Sequence, residues 1–203
     1  MPTIFSHGAL GFIGSKIGLR DPKPDKPIII ASIVVAAVPD LDALFIGSIP
    51  YGDPLGHRGL THSLFFAAAL GLALAFVFVK AGWAGELSFG TLAALFGLVT
   101  ASHGLFDAMT DGGLGIAFFA PFNNTRYFLP WRPIPVAPLS AHRLFTASGM
   151  RLMLWEMALF GPFTMAAIVW DNPEATTWRR ISAAVCAIAG IIVWVVAIVK
   201  SDA

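Results

Sequence analysis

Residues 88–108 read SFGTLAALFGLVTASHGLFDA, an apolar run that ends in a histidine and an aspartate four positions apart. A helix crosses a membrane with about 20 consecutive apolar residues, and this run has that length. On a helix His103 and Asp107 lie on one face, so one end of the span presents two ligating side chains together. Ionisable groups at membrane depth are costly, and they face a cavity or one another. The same pairing of lipid-compatible helix and polar end recurs on both sides of this stretch.

Residues 28–48, 63–84, 152–170 and 181–199 are also apolar and long enough to cross, the first interrupted by Pro39, Asp40 and Asp42. Residues 3–19 form a shorter stretch broken by His7 and glycines, predicted as a sixth, short or half-buried helix. Only 12% of the 203 residues are charged and 57% are hydrophobic, against about 25% charged in soluble domains. The expected fold is an all-α polytopic membrane bundle of five to six helices, one integral membrane domain over residues 1–203. Residues 109–150, rich in Gly, Pro and aromatics, form its long extracytoplasmic loop region. A net charge of +1 without a dense Lys/Arg run argues against nucleic-acid binding, and the lone Cys186 excludes an intramolecular disulfide. The opening Met-Pro-Thr-Ile-Phe-Ser-His lacks a basic n-region and a small-residue cleavage site, so His7 is expected in the mature chain.

Charge sets the expected topology. Lys16, Arg20, Lys23 and Lys26, then Lys80, then Arg179 and Arg180 fall in connections that the positive-inside rule places in the cytoplasm. Counting helical rise from that side, Lys16 to His7 is roughly 14 Å, Lys26 to Asp40 roughly 21 Å, Lys80 to His62 roughly 27 Å and Glu86 to His103 roughly 26 Å. Helices of opposite direction thus deliver their polar clusters to the same side, near the outer edge of a hydrocarbon core about 30 Å thick.

Mixed imidazole and carboxylate groups suit zinc or another divalent transition metal. Candidate ligands are His7, Asp40, His57, His62, His103 and Asp107. They exceed the complement of one ion, so one or two ions, zinc or alternatively manganese, are expected. His57 and His62 flank Gly59 and are expected to border a turn, with Thr61 in an ordinary capping role at the helix start. His142, beside Arg143 in the outer loop, is weighted toward a non-ligand.

The segments MPTIFSHGALG (1–11), PDLD (39–42), HRGLTHS (57–63), ASHGLFDAMTDGG (101–113) and NNTRYFLPWRPIP (123–135), in this order, resemble the YdjM-like inner-membrane proteins of bacteria. That resemblance covers about the first 135 residues, and the last two helices match only as apolar spans. It implies a membrane-bound metal-dependent hydrolase in the bacterial inner membrane. More distantly, the pattern is similar to the zinc-dependent phospholipase C and single-strand nuclease superfamily, which hydrolyses phosphodiesters on clustered zinc ions. On that analogy His7, Asp40, His57 or His62, His103 and Asp107 are ligands, with Asp107 a bridge. The chain departs from it after the HxxxD, where no second histidine–glutamate pair follows; Glu156 lies inside a predicted membrane helix.

The function expected is hydrolysis of a phosphoester in a lipid or lipid-linked substrate by a metal-activated water, at a site facing the extracytoplasmic side. Asp40 or Asp42 would hold or deprotonate that water. Arg58, Arg126 and Arg132 would bind phosphate, or anchor the loop to headgroups. Phe118, Phe119, Phe122, Tyr127, Phe128 and Trp131 make the outer loop amphipathic, suited to lying on the membrane surface. A metal or ion transporter and a scaffold with a structural metal are the alternatives. Apolar inner halves such as Ala67–Val79 argue against the transporter.

Overall fold

The computed structural model describes residues 2–18, 23–138, 141–170, 172 and 174–201. Six α-helices form: α1 (Ile4–Gly18), α2 (Lys26–Val35), α3 (Leu64–Lys80), α4 (Phe89–Asp107), α5 (Ala147–Trp170) and α6 (Thr177–Ser201). Among the described residues no strand forms, only isolated bridges, and four segments are long and apolar enough to cross a membrane. These are Lys26–Phe45, Phe89–Asp107, Ala147–Trp170 and Thr177–Ser201, with Leu64–Lys80 a shorter apolar helix. The side chains that cover α5 and α6 identify the surrounding medium: Leu154, Met157, Ile188, Val195 and Val199 are all more than half exposed. Such a belt is tolerable only against lipid.

Local chemistry sets the helix ends. Pro27 sits in the first turn of α2, where an N–H is not needed. Pro39 has no N–H to continue the ladder, and its ring crowds the carbonyl four residues back. The helix accordingly stops at Val35, and residues Val38–Phe45 wind as a 3-10 segment. The expected kinked span over 28–48 is therefore two pieces. Ser63, not Thr61, caps α3, its hydroxyl accepting the Phe66 N–H at 3.0 Å. That moves the expected start of the helix at residue 63 by one position and frees Thr61 for another task. Ser88 caps α4 in the same way, accepting from Thr91 N at 3.1 Å.

Helices α2, α3 and α4 close around Ile28, Val35, Phe78, Leu92, Phe96 and Val99. Gly71 lets α3 touch α4 backbone to backbone, since a Cβ there would lie 2.6 Å from Gly97 N. A second core joins Leu159 and Phe160 of α5 to Ala197 of α6 and to Ile134 of the loop. That loop also packs against the bundle. It folds back over the ends of α3 and α4, with Leu64 N–H donating to Phe118 O at 3.0 Å, Ala117 N–H to Arg58 O at 3.1 Å and Leu129 N–H to Ala108 O at 2.9 Å. Ile116, Ala120 and Ile134 are fully buried, while Phe119 and Phe122 remain exposed. The loop is a plug with an apolar rim.

Candidate metal centre

Four segments deliver the polar side chains. His7 comes from α1, Asp40 and Asp42 from the 3-10 segment after Pro39, His57 and His62 from the turn before α3, and His103 with Asp107 from the last turns of α4. Gly104 permits the approach of the turn: a Cβ on it would stand 2.7 Å from the His62 carbonyl oxygen. The break at Pro39 has a second effect. Asp40 N–H donates to Ala37 O rather than to Ala36 O, and the Ala36 carbonyl instead accepts His103 Nδ1–H at 2.7 Å.

That bond decides the tautomer of His103. A carbonyl only accepts, so Nδ1 carries the proton and Nε2 of the neutral ring is a lone pair. His62 is fixed likewise, with Nδ1 3.2 Å from Asp42 Oδ2. The two Nε2 atoms face each other at 3.1 Å. Asp40 Oδ1 stands 3.2 Å from His103 Nε2 and 3.6 Å from His62 Nε2, and Asp107 Oδ2 stands 3.6 Å from His62 Nε2. Both oxygens of Asp40 and of Asp107 are buried without a hydrogen-bond partner. Four acceptors thus converge, and with both rings neutral none supplies a hydrogen.

Such an arrangement needs a cation. Four ligands at 2.0–2.2 Å around a tetrahedral zinc are separated by about 3.3–3.6 Å, and the distances of 3.1–3.6 Å from His62 Nε2 and His103 Nε2 to their neighbours are close to that spacing. One ligating atom from each of Asp40, His62, His103 and Asp107 lies within 4.8 Å of every other. The residues fit a divalent ion of the zinc type. Without one, a proton must do the work. Burial pushes the His62 pKa down, but Asp107, Asp40 and Asp42 outweigh it and hold it up at about 10.

His7 stacks on His103, ring centres 3.7 Å apart, and its Nε2 lies 3.3 Å from Asp107 Oδ1. It is fully buried and neither ring nitrogen makes a hydrogen bond. Asp107 therefore faces His62 with one oxygen and His7 with the other. A second group, Asp40, Asp42, His57 and His62, meets the same 4.8 Å criterion and shares Asp40 and His62 with the first. Within it Asp42 is heavily engaged: it accepts from His57 Nδ1 at 2.6 Å, Thr61 Oγ1 at 2.5 Å and Arg58 N at 3.2 Å besides its contact with His62. It orients its neighbours more than it offers lone pairs.

Arg58 is buried with a left-handed backbone, φ 64°. Its Nε is 3.2 Å from Asp107 Oδ2, and its other nitrogens donate to Gly112 O at 2.7 Å and Thr110 Oγ1 at 2.9 Å. Arg126 donates to the carbonyls of Tyr51, Asp53 and His57 at 3.0–3.1 Å. Both arginines tie the plug to the turn. Arg132 places its guanidinium 5.1 Å above the Phe128 ring, and His142 is exposed. Glu156 is remote from the donor cluster in role: its carboxyl group accepts from Thr3 N at 2.8 Å, Ser6 Oγ at 2.6 Å and Thr3 Oγ1, pinning the start of α1 just before His7.

Beside the cluster a cavity of about 290 Å³ is lined by Tyr51, His57, Arg58, Gly113 and Val136, among others. The Tyr51 ring stacks on His57 at 5.3 Å. Sequence reasoning gave Thr61 a capping role alone and did not single out Tyr51, Thr110 or the Ala36 carbonyl. Only the last had a signal, since Pro39 must release carbonyls from the helix before it.

A family model described as YdjM inner membrane protein matches residues 1–201. The inner membrane protein YbcI of Escherichia coli (strain K12) is 34% identical over 178 residues, covering 84% of this chain and 98% of that protein. No solved structure matches the chain, and these findings do not extend to the zinc-dependent phospholipase C superfamily.

Proposed function

The chain belongs to the YdjM inner membrane protein family, and from that premise we propose that it is a membrane-embedded metal-dependent hydrolase. Its substrate class is a phosphoester of a lipid or lipid-linked molecule, reached from the extracytoplasmic side. The observation that supports the reading is the convergence of Asp40, His62, His103 and Asp107, whose ligating atoms lie within 4.8 Å of one another, with the histidine tautomers fixed from behind.

Asp40, His62, His103 and Asp107 would hold the ion, with His7 on the far oxygen of Asp107 as a fifth ligand or the start of a second site. A divalent ion so held lowers the pKa of a bound water toward about 7 and polarises a phosphoryl oxygen. Asp42 keeps His62 Nδ1 protonated and so keeps Nε2 available. The loop over residues 109–138 packs across the ends of α3 and α4 and would keep bulk water from the donors. His57 and Arg58 stand between the cluster and the 290 Å³ cavity, where they would meet an incoming phosphate and where His57 would take up or return a proton.

A structural ion is the second reading, favoured by the near-complete burial of His62, His103 and Asp107. Metal content of detergent-purified protein, measured beside Asp107→Ala, comes first, followed by a screen of phospholipids and a soluble phosphodiester with zinc or manganese. Bound metal that is lost in the variant, together with metal-dependent hydrolysis, supports the enzyme. Stoichiometric metal with no turnover of any phosphoester transfers the site to the structural reading. A chain that refuses zinc and manganese overturns both.

A further inference from the structure

The opposite end of the bundle carries a feature that the donor cluster does not use. Lys16 lies in the last turn of α1, Lys23 precedes α2 and Arg180 lies in the first turn of α6, yet all three line one cavity of about 440 Å³. Its remaining walls are Ile17, Ala166, Ala167 and Trp170. The indole of Trp170, half exposed at the end of α5, suits the membrane–water interface. Ile17 is also a wall of a second cavity of about 630 Å³ that runs between α1 and α4 past Leu10, Ile13, Gly14 and Leu98. A cationic pocket and an apolar furrow along the bundle therefore meet at a shared wall, Ile17.

We propose that this end of the protein binds one anionic phospholipid, with its phosphate among Lys16, Lys23 and Arg180 and an acyl chain in the furrow between α1 and α4. Charges that merely orient a membrane protein need no concavity and no apolar continuation. Here three sequence-distant cations share a recess, the charge is complementary to a phosphate, and the furrow begins at a residue that the recess contains. A free phosphate would leave the furrow without use. Gly18 lines that furrow, and a Cβ on it would meet no atom within 4 Å. A larger side chain at that position fills the furrow without striking the protein.

The test uses the full chain in a nonionic detergent, equilibrated with equal phosphatidylglycerol and phosphatidylcholine, with co-purifying lipid identified by native mass spectrometry. Retention of a single phosphatidylglycerol in preference to phosphatidylcholine is expected. Affinity should fall about fivefold for each cation removed in Lys16→Gln and Arg180→Gln, and Gly18→Leu should expel the lipid with all three cations intact. Metal content, which reports the other end of α1, serves as the control for folding. Equal retention of both lipids, or wild-type retention in the glutamine variants, overturns the proposal. Displacement of phosphatidylglycerol by millimolar inorganic phosphate, with Gly18→Leu behaving as wild type, assigns the pocket to free phosphate and overturns the lipid.

Discussion

Asp42→Asn separates the residues that orient the centre from those that would ligate an ion. The Asp42 Oδ2 side accepts from Arg58 N at 3.2 Å and Thr61 Oγ1 at 2.5 Å and faces His62 Nδ1 at 3.2 Å, while Oδ1 faces only His57 Nδ1 at 2.6 Å. An asparagine would keep its oxygen on the crowded side and turn its NH2 toward His57, which must then present Nδ1 as an acceptor. His62 would retain its Nδ1–H and a free Nε2, but its partner would be a neutral oxygen in place of a carboxylate. Losing such a partner weakens metal binding by about 10–100-fold, equivalent to about 1.4–2.7 kcal/mol. The lower end is expected here, because the hydrogen bond survives and only its charge is lost. Competitive zinc titration against a chromophoric chelator, in detergent, measures it. The variant should bind the same number of ions as wild type, about tenfold more weakly. Unchanged affinity would refute the tautomer argument, and loss of a whole equivalent would make Asp42 a ligand.

Three further outcomes follow from the geometry. Metal affinity should rise with pH, by about tenfold per unit between roughly pH 6 and 9. Without metal, His62 keeps its proton up to about pH 10, and the ion must displace it; zinc titrations at several pH values and a flat profile would contradict this. Gly104→Ala should weaken zinc binding while leaving the helical content by circular dichroism intact, because its Cβ would drive the His62 carbonyl from a 2.7 Å approach. Glu156→Gln should lower the thermal unfolding midpoint, at a cost of about 1–3 kcal/mol. The amide offers one oxygen where Thr3 N, Thr3 Oγ1 and Ser6 Oγ all donate, and a variant as stable as wild type would show that this clamp holds nothing.

The depth of the polar clusters was legible in the sequence because helical rise is regular: counting from the basic connections put His7, Asp40, His62 and His103 at one side, and the structure gathers them there. The helical class followed from composition in the same direct way. Boundaries were less legible. Nothing in the string distinguishes Thr61 from Ser63 as the cap, because both are good N-cap residues and only the packing of the turn against Gly104 selects the second. Pro39 announced an interruption, but a kink and a switch to 3-10 winding begin with the same residue, and the choice depends on where the freed Ala36 carbonyl finds a donor. The internal partners of Arg58 and Arg126 were not legible, because they are set only once the loop folds; in the structure both donate to backbone carbonyls, and Arg58 also to Thr110. The hydrogen bonds that fold the aromatic loop back over α3 and α4 are hidden in the sequence for the same reason.

The unequal helix lengths have a consequence for the bilayer itself. α1 and α3, with 15 and 17 residues, extend about 22–26 Å, whereas α5 and α6, with 24 and 25 residues, extend about 36–38 Å. The hydrocarbon core they share is about 30 Å thick. The first pair falls short of such a core and the second pair exceeds it, so the bundle meets the bilayer unevenly. Lipid must thin beside α1 and α3, and α5 and α6 must tilt or draw the bilayer up around them. The short helices α1 and α3 are the ones that carry or adjoin the donor cluster. There the headgroup layer sinks toward the centre, and a phosphoester would need to travel less far out of its membrane to reach it.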